Sequence, residues 1–593
     1  MADVVMTYHN NIQEVDPPGF TLAKQQAAIQ VVLQDIEVNI DYQEKQLLSA
    51  NATKDDVKDA LKKTKTGKAA GIDGIPYEFW TAFMGDADEE AQTDEDDFDI
   101  IKYLTMVFND IETHGKLPDS RFADGWLCPI YKKGDKRKIE NYRPITLLNT
   151  DYKIYTRILT SKLGTIATTL IHEDQAGFVP NRHIENQTQT CRVLVDYAEA
   201  LDEDGVIVAL DQEKAYDKID HTYLWQALEA LGLPPRFIQK VKNLYSNAQT
   251  TVIVNGERSH FFTVTRGVRQ GDPLSCLLFD LAIEPLAIAL RRSEIAGFHI
   301  PGTAERLVAS LFADDTSSFL SKSDNWTSLW NVLGQWCTAS RAKFNDGKTE
   351  VIPIGSSTYR RAVYESRRID PSDQDSPQIP PQVHIAPDGE PVRVLGAWIG
   401  NNIDQVSIWA PAMHKIRSFL DRWNRCRPSM FGKRHIVQMG PGGISQYLTV
   451  VQGMPSSVET DLVKMIRVFM WGSDSPPPIG MDTLCRPISE GGLGLLDIKA
   501  RNEAINLMWI KRYLTLTPDR PKWAYAMDAI LAKHVTKNTG AIDKKAQVNT
   551  FLQSWTPAYA ARSQLPRYMK EMLNIGKKYG VQLEALKSSE TPQ

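Results

Sequence analysis

The chain has 593 residues, 42% of them hydrophobic and 24% charged, and a formal net charge of −5. That length exceeds what one hydrophobic core supports, so three or four lobes are expected. The lack of a long apolar run excludes a helical membrane span, the N-terminus has no secretion signal, and six scattered cysteines without a CxxC pair argue against a disulfide scaffold. The expected setting is intracellular and soluble.

Residues 1–50 read as an N-terminal helical extension, and helical periodicity runs through 20–66, where Thr53 is a candidate N-cap. A glycine-rich break, "GKAAGIDGIP", occupies 67–76. The run "DADEEAQTDEDDFD", 86–99, reads as a solvated loop; removing its nine acids moves the net charge from −5 to +4. Residues 121–150 look like short strands joined by a basic turn, and 151–164 and 183–203 like helices. "GVIVAL", 205–210, is a buried strand ending at Asp211, and the helix after it stops at Gly232 and Pro234. Residues 249–264 form a hairpin closed by Asn255-Gly256. A long apolar helix, 274–292, precedes a strand–turn–strand around Asp314, a helix over 324–342 and a turn-strand over 345–355. This alternation predicts an α+β sheet with helices on one face. Residues 356–390, rich in Ser, Pro, Asp and Gln, read as a linker or surface insertion. Beyond 405 the chain is mostly helical to about residue 535, with a frayed tail after 580. Within it, 414–435 holds seven Lys/Arg against one Asp. This stretch is either a plain surface helix with an apolar stripe of Ile416, Phe419, Leu420 and Trp423, or a phosphate-tracking one.

The run "LVASLFADDTSSFL", 307–320, places Asp314 and Asp315 inside an apolar stretch, where two carboxylates repel each other and lose hydration. If this hairpin neighbours the strand ending at Asp211, three carboxylates converge at one sheet edge. Such a cluster is tolerable when divalent cations neutralise it, and oxygen ligands of this kind suit Mg²⁺ or Mn²⁺. Two such ions roughly 3.5–4 Å apart serve an in-line phosphoryl displacement.

Other segments join this one in order: "KTGKAAGIDGIPYEF" (65–79), "YKKGDKRKIENYRPITLL" (131–148), "QAGFVPNRHIENQT" (175–188), "VALDQEKAYDKIDH" (208–221) and "RGVRQGDPLSCLLFDLAIEPL" (266–286). They continue with "FADD" (312–315), "FNDGKTEVIPIG" (344–355), "VRVLGAWIG" (392–400) and "EGGLGLLDIKARNEAINLMWI" (490–510). The ordered set resembles the reverse transcriptases of non-LTR (LINE-type) retrotransposons from about residue 50 to about residue 515.

The resemblance implies a right-hand polymerase with a mainly helical C-terminal region. Fingers would span 51–204, palm 205–355, a primer-grip hairpin and the start of the thumb 391–445, and helical thumb and C-terminal region 446–593. It implies a catalytic triad of Asp211, Asp314 and Asp315, with two Mg²⁺ (or Mn²⁺) held by Asp211, Asp314 and the Gln212 carbonyl. Tyr216 would lie beneath the incoming sugar and favour dNTPs. Gln270 and Gly271 would pack against the nascent base pair, in a segment that also reads as a helix start near Asp272 and Pro273. Arg143, with Lys132 or Lys133, would grip the triphosphate, and Lys348 would serve the leaving pyrophosphate. Gly71, Asp73 and Gly74 would touch template, Leu395 and Gly396 the primer, and Arg422 and Arg425 the duplex. Implied partners are an RNA template, a DNA primer or target and dNTPs, acting in the nucleus. About 50 residues before the resemblance and about 80 after it are too few for an endonuclease or an RNase H domain. The chain thus reads as a polymerase-centred fragment that needs its nicked primer supplied. Two alternatives remain open: a catalytically silent copy that only binds RNA or RNA–DNA hybrid, and an RNA-dependent RNA polymerase. Tyr216, and "FADD" in place of a Gly-Asp-Asp turn, speak against the second.

Overall fold

The computed structural model describes the chain apart from residues 17–18, 35, 85–97, 118, 473–475, 518, 535–563 and 582–593. The expected acidic loop, except Phe98 and Asp99, and the expected frayed tail, except Val581, lie outside the described residues. Among the described residues there are twelve strands. In chain order they are β1 (Gly125–Tyr131), β2 (Tyr142–Leu148), β3 (Gly205–Leu210), β4 (Gln249–Val254), β5 (Glu257–Arg258) and β6 (Phe262–Thr263). Then come β7 (Ala309–Phe312), β8 (Asp315–Ser321), β9 (Glu350–Ile354), β10 (His384–Ile385), β11 (Val392–Val394) and β12 (Ala397–Ile399).

The first sheet pairs β2 with β1 antiparallel and β1 with β4 parallel, and β5 and β6 fold back on β4. The expected Asn255-Gly256 turn is present, with φ of 52° and 86°, the positive pair a tight hairpin requires. The second sheet has the order β10-β9-β3-β8-β7. β3 lies between two antiparallel neighbours, and its Val206, Ile207 and Val208 are fully buried. Val206, Val208 and Leu210 join a core with the helices His221–Ala230 and Ser275–Arg292, whereas Ile207 and Phe319 join one with the helix Ile184–Leu201. Helices therefore cover both faces of this sheet, not the single face expected. The unbroken apolar run of "GVIVAL", without polar alternation, is the pattern of a strand buried on both sides.

Three further expectations change. The periodic stretch 20–66 is three helices, Leu22–Leu33, Tyr42–Ser49 and Lys54–Lys62; Asp41 and Thr53 each close a capping box that starts a new helix. Residues 356–390 are packed rather than an unstructured linker. They hold the helix Ser357–Ser366 and strand β10, which pairs with β9, and Ile369 and Ile379 are fully buried. Arg367 fastens the loop by donating to the carbonyls of Ile379 (3.0 Å), Pro380 (2.6 Å) and Val383 (2.6 Å), so few apolar residues suffice. The basic stretch 414–435 is two helices: Gln405–Asn424 ends before Arg427, which has φ 46°, and Pro428, and Ser429 caps Met430–Val437. Ile416 and Leu420 are buried there, whereas Trp423 is exposed. Among the described residues that follow are the helices Ser456–Trp471, Ile498–Tyr513, Lys522–Lys533 and Arg567–Lys578. Among the described residues no helix is long and apolar enough to cross a membrane.

Candidate active site

β7 and β8 form a hairpin whose last pair is Phe312–Asp315, so Ala313 and Asp314 make its turn. Ala313 has φ 54°, in the left-handed region. On the other side of β8, Leu210 of β3 pairs with Thr316, and one residue further Asp211 comes level with Asp315. Opposite residues of an antiparallel pair have Cα atoms about 4.5–5.5 Å apart. β9 meets β3 at Ala209–Glu350, which brings Lys348 level with Asp211. The Lys348 ammonium lies 3.2 Å from Asp211 Oδ2. Gln212 is buried and donates from its side-chain amide to the Asp314 carbonyl at 3.3 Å, tying the two carboxylate-bearing segments together.

The charges act on one another. Burial raises the Asp314 carboxyl above the ordinary range, with Asp211 adding to the rise. Burial and then the charges of Asp314 and Asp211 push Asp315 up to about 6. Lys132 pulls both down and Arg143 acts on Asp314, so these two cations face the cluster from the end of β1 and from β2. Tyr216 is on the short helix Ala215–Lys218, its ring stacked on Phe279 with centroids 4.5 Å apart. Burial raises its hydroxyl, and Cys276, Asp280, Asp314 and Asp315 raise it further. Gln270 accepts from Thr146 N through its carbonyl at 2.8 Å. Gly271 has φ 122°, and a Cβ there would meet the Thr146 carbonyl oxygen at 2.3 Å, so glycine is needed where this loop crosses β2. Asp272 accepts from Leu274 N and Tyr152 Oη (both 3.0 Å), and the long helix then starts at Ser275. The helix-start reading of this segment and its placement against β2 thus coexist.

Hard oxygen donors crowded until two of them are pushed up form a set that a divalent cation relieves, and Lys348 already supplies positive charge at Asp211. Residues 130–399 match the family model described as reverse transcriptase (RNA-dependent DNA polymerase). This chain carries a reverse transcriptase domain. Over 484 residues it is 28% identical to the transposon TX1 uncharacterized 149 kDa protein of Xenopus laevis, covering 81% of this chain and 34% of that protein. It is 28% identical over 259 residues to the Pol polyprotein of retrotransposable element R2 from Nasonia vitripennis, covering 43% of this chain and 23% of that protein. It is 24% identical over 269 residues to the RNA-directed DNA polymerase from mobile element jockey of Drosophila melanogaster, covering 44% and 28%. The chain spans about a third or less of the length of these curated relatives.

The matched reverse transcriptase region includes the aspartates, Gln212, Tyr216, Arg143, Gln270, Gly271, Lys348, Leu395 and Gly396. The expected template, primer and duplex contacts sit on other elements than the aspartates. Gly71, Asp73 and Gly74 form a turn, closed by Gly74 N on Gly71 O at 3.2 Å, that packs on Asn149 beyond the C-terminal end of β2. Leu395 and Gly396, with φ 49° and 81°, are the two-residue turn between β11 and β12, and Tyr447 Oη donates to the Leu395 carbonyl at 2.5 Å. Arg422 is at the end of the helix Gln405–Asn424, its guanidinium 5.7 Å from the Phe419 ring, and Arg425 follows it.

Among the described residues, the group whose ligand atoms lie within 4.8 Å of one another is His172, Asp174 and Glu305, not the three aspartates. Asp174 there is already met by Lys522 at 2.7 Å, His172 at 3.1 Å and Arg291 at 3.5 Å, so this is an ion-pair network. Its members come from distant parts of the chain and carry no local sequence signal. The segment "QAGF", 175–178, had no role assigned from sequence, yet it runs beside β7: Gln175 bridges Leu311, and the exposed Phe178 ring is 6.4 Å from that of Phe312.

Proposed function

We propose that the chain is an RNA-directed DNA polymerase of the non-LTR retrotransposon kind, extending a primer 3′-hydroxyl with dNTPs on an RNA template. The observation that carries this reading is the convergence of Asp211, Asp314 and Asp315 at one end of the second sheet, within the region that matches reverse transcriptases. The sheet would be the palm, β1 and β2 part of the fingers, and the helices after β12 the thumb. Asp211 and Asp314, with the Gln212 carbonyl, would hold two Mg²⁺ (or Mn²⁺), and Asp315 would be auxiliary. When bound, the ions would lower the pKa of the attacking hydroxyl and stabilise charge on the leaving phosphate.

The chain's own residues do the rest. Arg143 and Lys132 face the aspartates, where a triphosphate must lie, and a guanidinium suits phosphate because it donates in a fixed fork. The Tyr216 ring, fixed by its stack on Phe279, would close the space a ribose 2′-hydroxyl needs. Lys348 sets a cation beside Asp211 for the departing pyrophosphate. Gly271 lets the Gln270 loop lie close against β2 and form the wall for the nascent base pair. Arg422 and Arg425 would follow duplex phosphates, giving salt-dependent binding with little sequence preference.

The test is primer extension on oligo(dT)-primed poly(rA) with Mg²⁺ and dTTP, with UTP in parallel. Wild type should synthesise DNA and use UTP poorly, and Asp314→Ala should lose nearly all turnover, because phosphoryl transfer depends on those charges. Hybrid binding by folded protein without synthesis would replace this reading with a silent copy, and ready UTP use would favour an RNA polymerase.

A further inference from the structure

The turn carrying Asp314 has an unfavourable backbone. Ala313 is a buried non-glycine residue at φ 54°, and its peptide groups fall just beyond the last β7 ladder position. One side chain serves both groups. Gln175 accepts from Ala313 N at 2.9 Å through Oε1, and its Nε2 donates to the Ala313 carbonyl at 3.4 Å. The same Oε1 accepts from Gly177 N at 2.7 Å. Gln175 is 0% exposed, so water does not substitute for these bonds.

The segment bearing Gln175 is itself fixed. Leu311 N donates to Asp174 O at 2.7 Å and Ala176 N to Leu311 O at 2.9 Å, making a short parallel addition to the free edge of β7. A Cβ on Gly177 would meet Ala313 N at 2.3 Å, so glycine permits the approach. Behind it, the Arg182 guanidinium donates to the carbonyls of Ile171 (2.7 Å), His172 (2.5 Å) and Gln175 (2.7 Å). Lys522, from the helix Lys522–Lys533, holds the Asp174 carboxylate at 2.7 Å.

We propose that Gln175 is a positioning residue for the reaction: its amide sets the backbone at Ala313 and thereby aims Asp314 and Asp315. This rests on the polymerase reading above. A carboxylate displaced by about 1 Å costs on the order of a hundredfold in rate. A glutamine that merely fills the core would affect stability alone.

The experiment compares the full-length wild type, Gln175→Leu and Gln25→Leu by steady-state primer extension, RNA–DNA hybrid binding and amide hydrogen exchange. Gln25 is a buried glutamine bonded to the Ala339 carbonyl at 3.1 Å and controls for the loss of a core hydrogen bond. In Gln175→Leu, kcat should fall about ten- to hundredfold, with hybrid Kd and dTTP KM within about twofold of wild type. Exchange across 311–315 should rise about tenfold or more, the cost of unmade buried bonds, while β3 and β9 stay protected. Gln25→Leu should keep kcat within about twofold, whatever its effect on melting. An unchanged kcat in Gln175→Leu, a fall in kcat without faster hairpin exchange, or an equal fall in Gln25→Leu would each overturn the proposal. If Gln175→Leu does not fold, Gln175→Met, which keeps length without the amide, takes its place under the same criteria. A wild type that synthesises nothing would refute the polymerase reading and the catalytic part of this one, and the exchange data would then decide whether Gln175 holds the hairpin.

Discussion

Replacing Asp315 by asparagine removes a charge from the aspartate cluster at almost constant shape. In the folded chain the Asp315 carboxyl is raised from 3.8 to about 6 by burial and by Asp314 and Asp211. A shift of about two units corresponds to ~3 kcal/mol against the ionised form. Because the side chain is open to solvent on one side, screening brings the expected value to about 1 kcal/mol. The sign follows from proton binding: between pH 3.8 and about 6 the folded state holds the proton more tightly than the unfolded one, so wild-type stability falls as pH rises through that window. In EDTA at pH 7.5, Asp315→Asn should therefore be more stable than wild type by about 1 kcal/mol in urea titrations. The advantage should shrink between pH 6 and 4 and vanish below. Mg²⁺ at about ten times its Kd should stabilise wild type by ~1.4 kcal/mol and narrow the gap, because a ligand that binds only the folded state stabilises it. A variant less stable than wild type in EDTA at pH 7.5, or one whose gain does not change with pH, would refute the account of Asp315 as a repelled carboxylate.

Two other substitutions test separate parts of the structure. Tyr216→Val, which removes the ring stacked on Phe279, should raise UTP use relative to dTTP by about tenfold or more in the primer-extension assay, since the gate is steric. Lys240→Met strands the fully buried Glu112 carboxylate, now 2.9 Å from the Lys240 ammonium; it should lower stability by about 3–5 kcal/mol, and adding Glu112→Leu should recover most of the loss in a double-mutant cycle.

The sequence by itself determined the family resemblance and the local frame. Apolar runs marked β3, β7 and β8, Asn255-Gly256 marked a turn, and the order of motifs around Asp211, Asp314 and Asp315 pointed to a reverse transcriptase. These signals are short-range, set by side-chain period and by the residue types a turn or a metal site needs. What local pattern could not determine was covering and pairing. "GVIVAL" shows burial but not how many layers bury it, and the polar composition of 356–390 hides the few apolar anchors and the arginines, Arg367 and Arg368, that fasten it. Strand register alone puts Lys348 on Asp211, and the fold alone joins Glu112 to Lys240, Asp174 to Lys522 and Gln175 to Ala313. Each of those partners lies more than a hundred residues from its mate, and a hydrogen bond or ion pair leaves no periodic trace along the chain, so only the tertiary structure decides it.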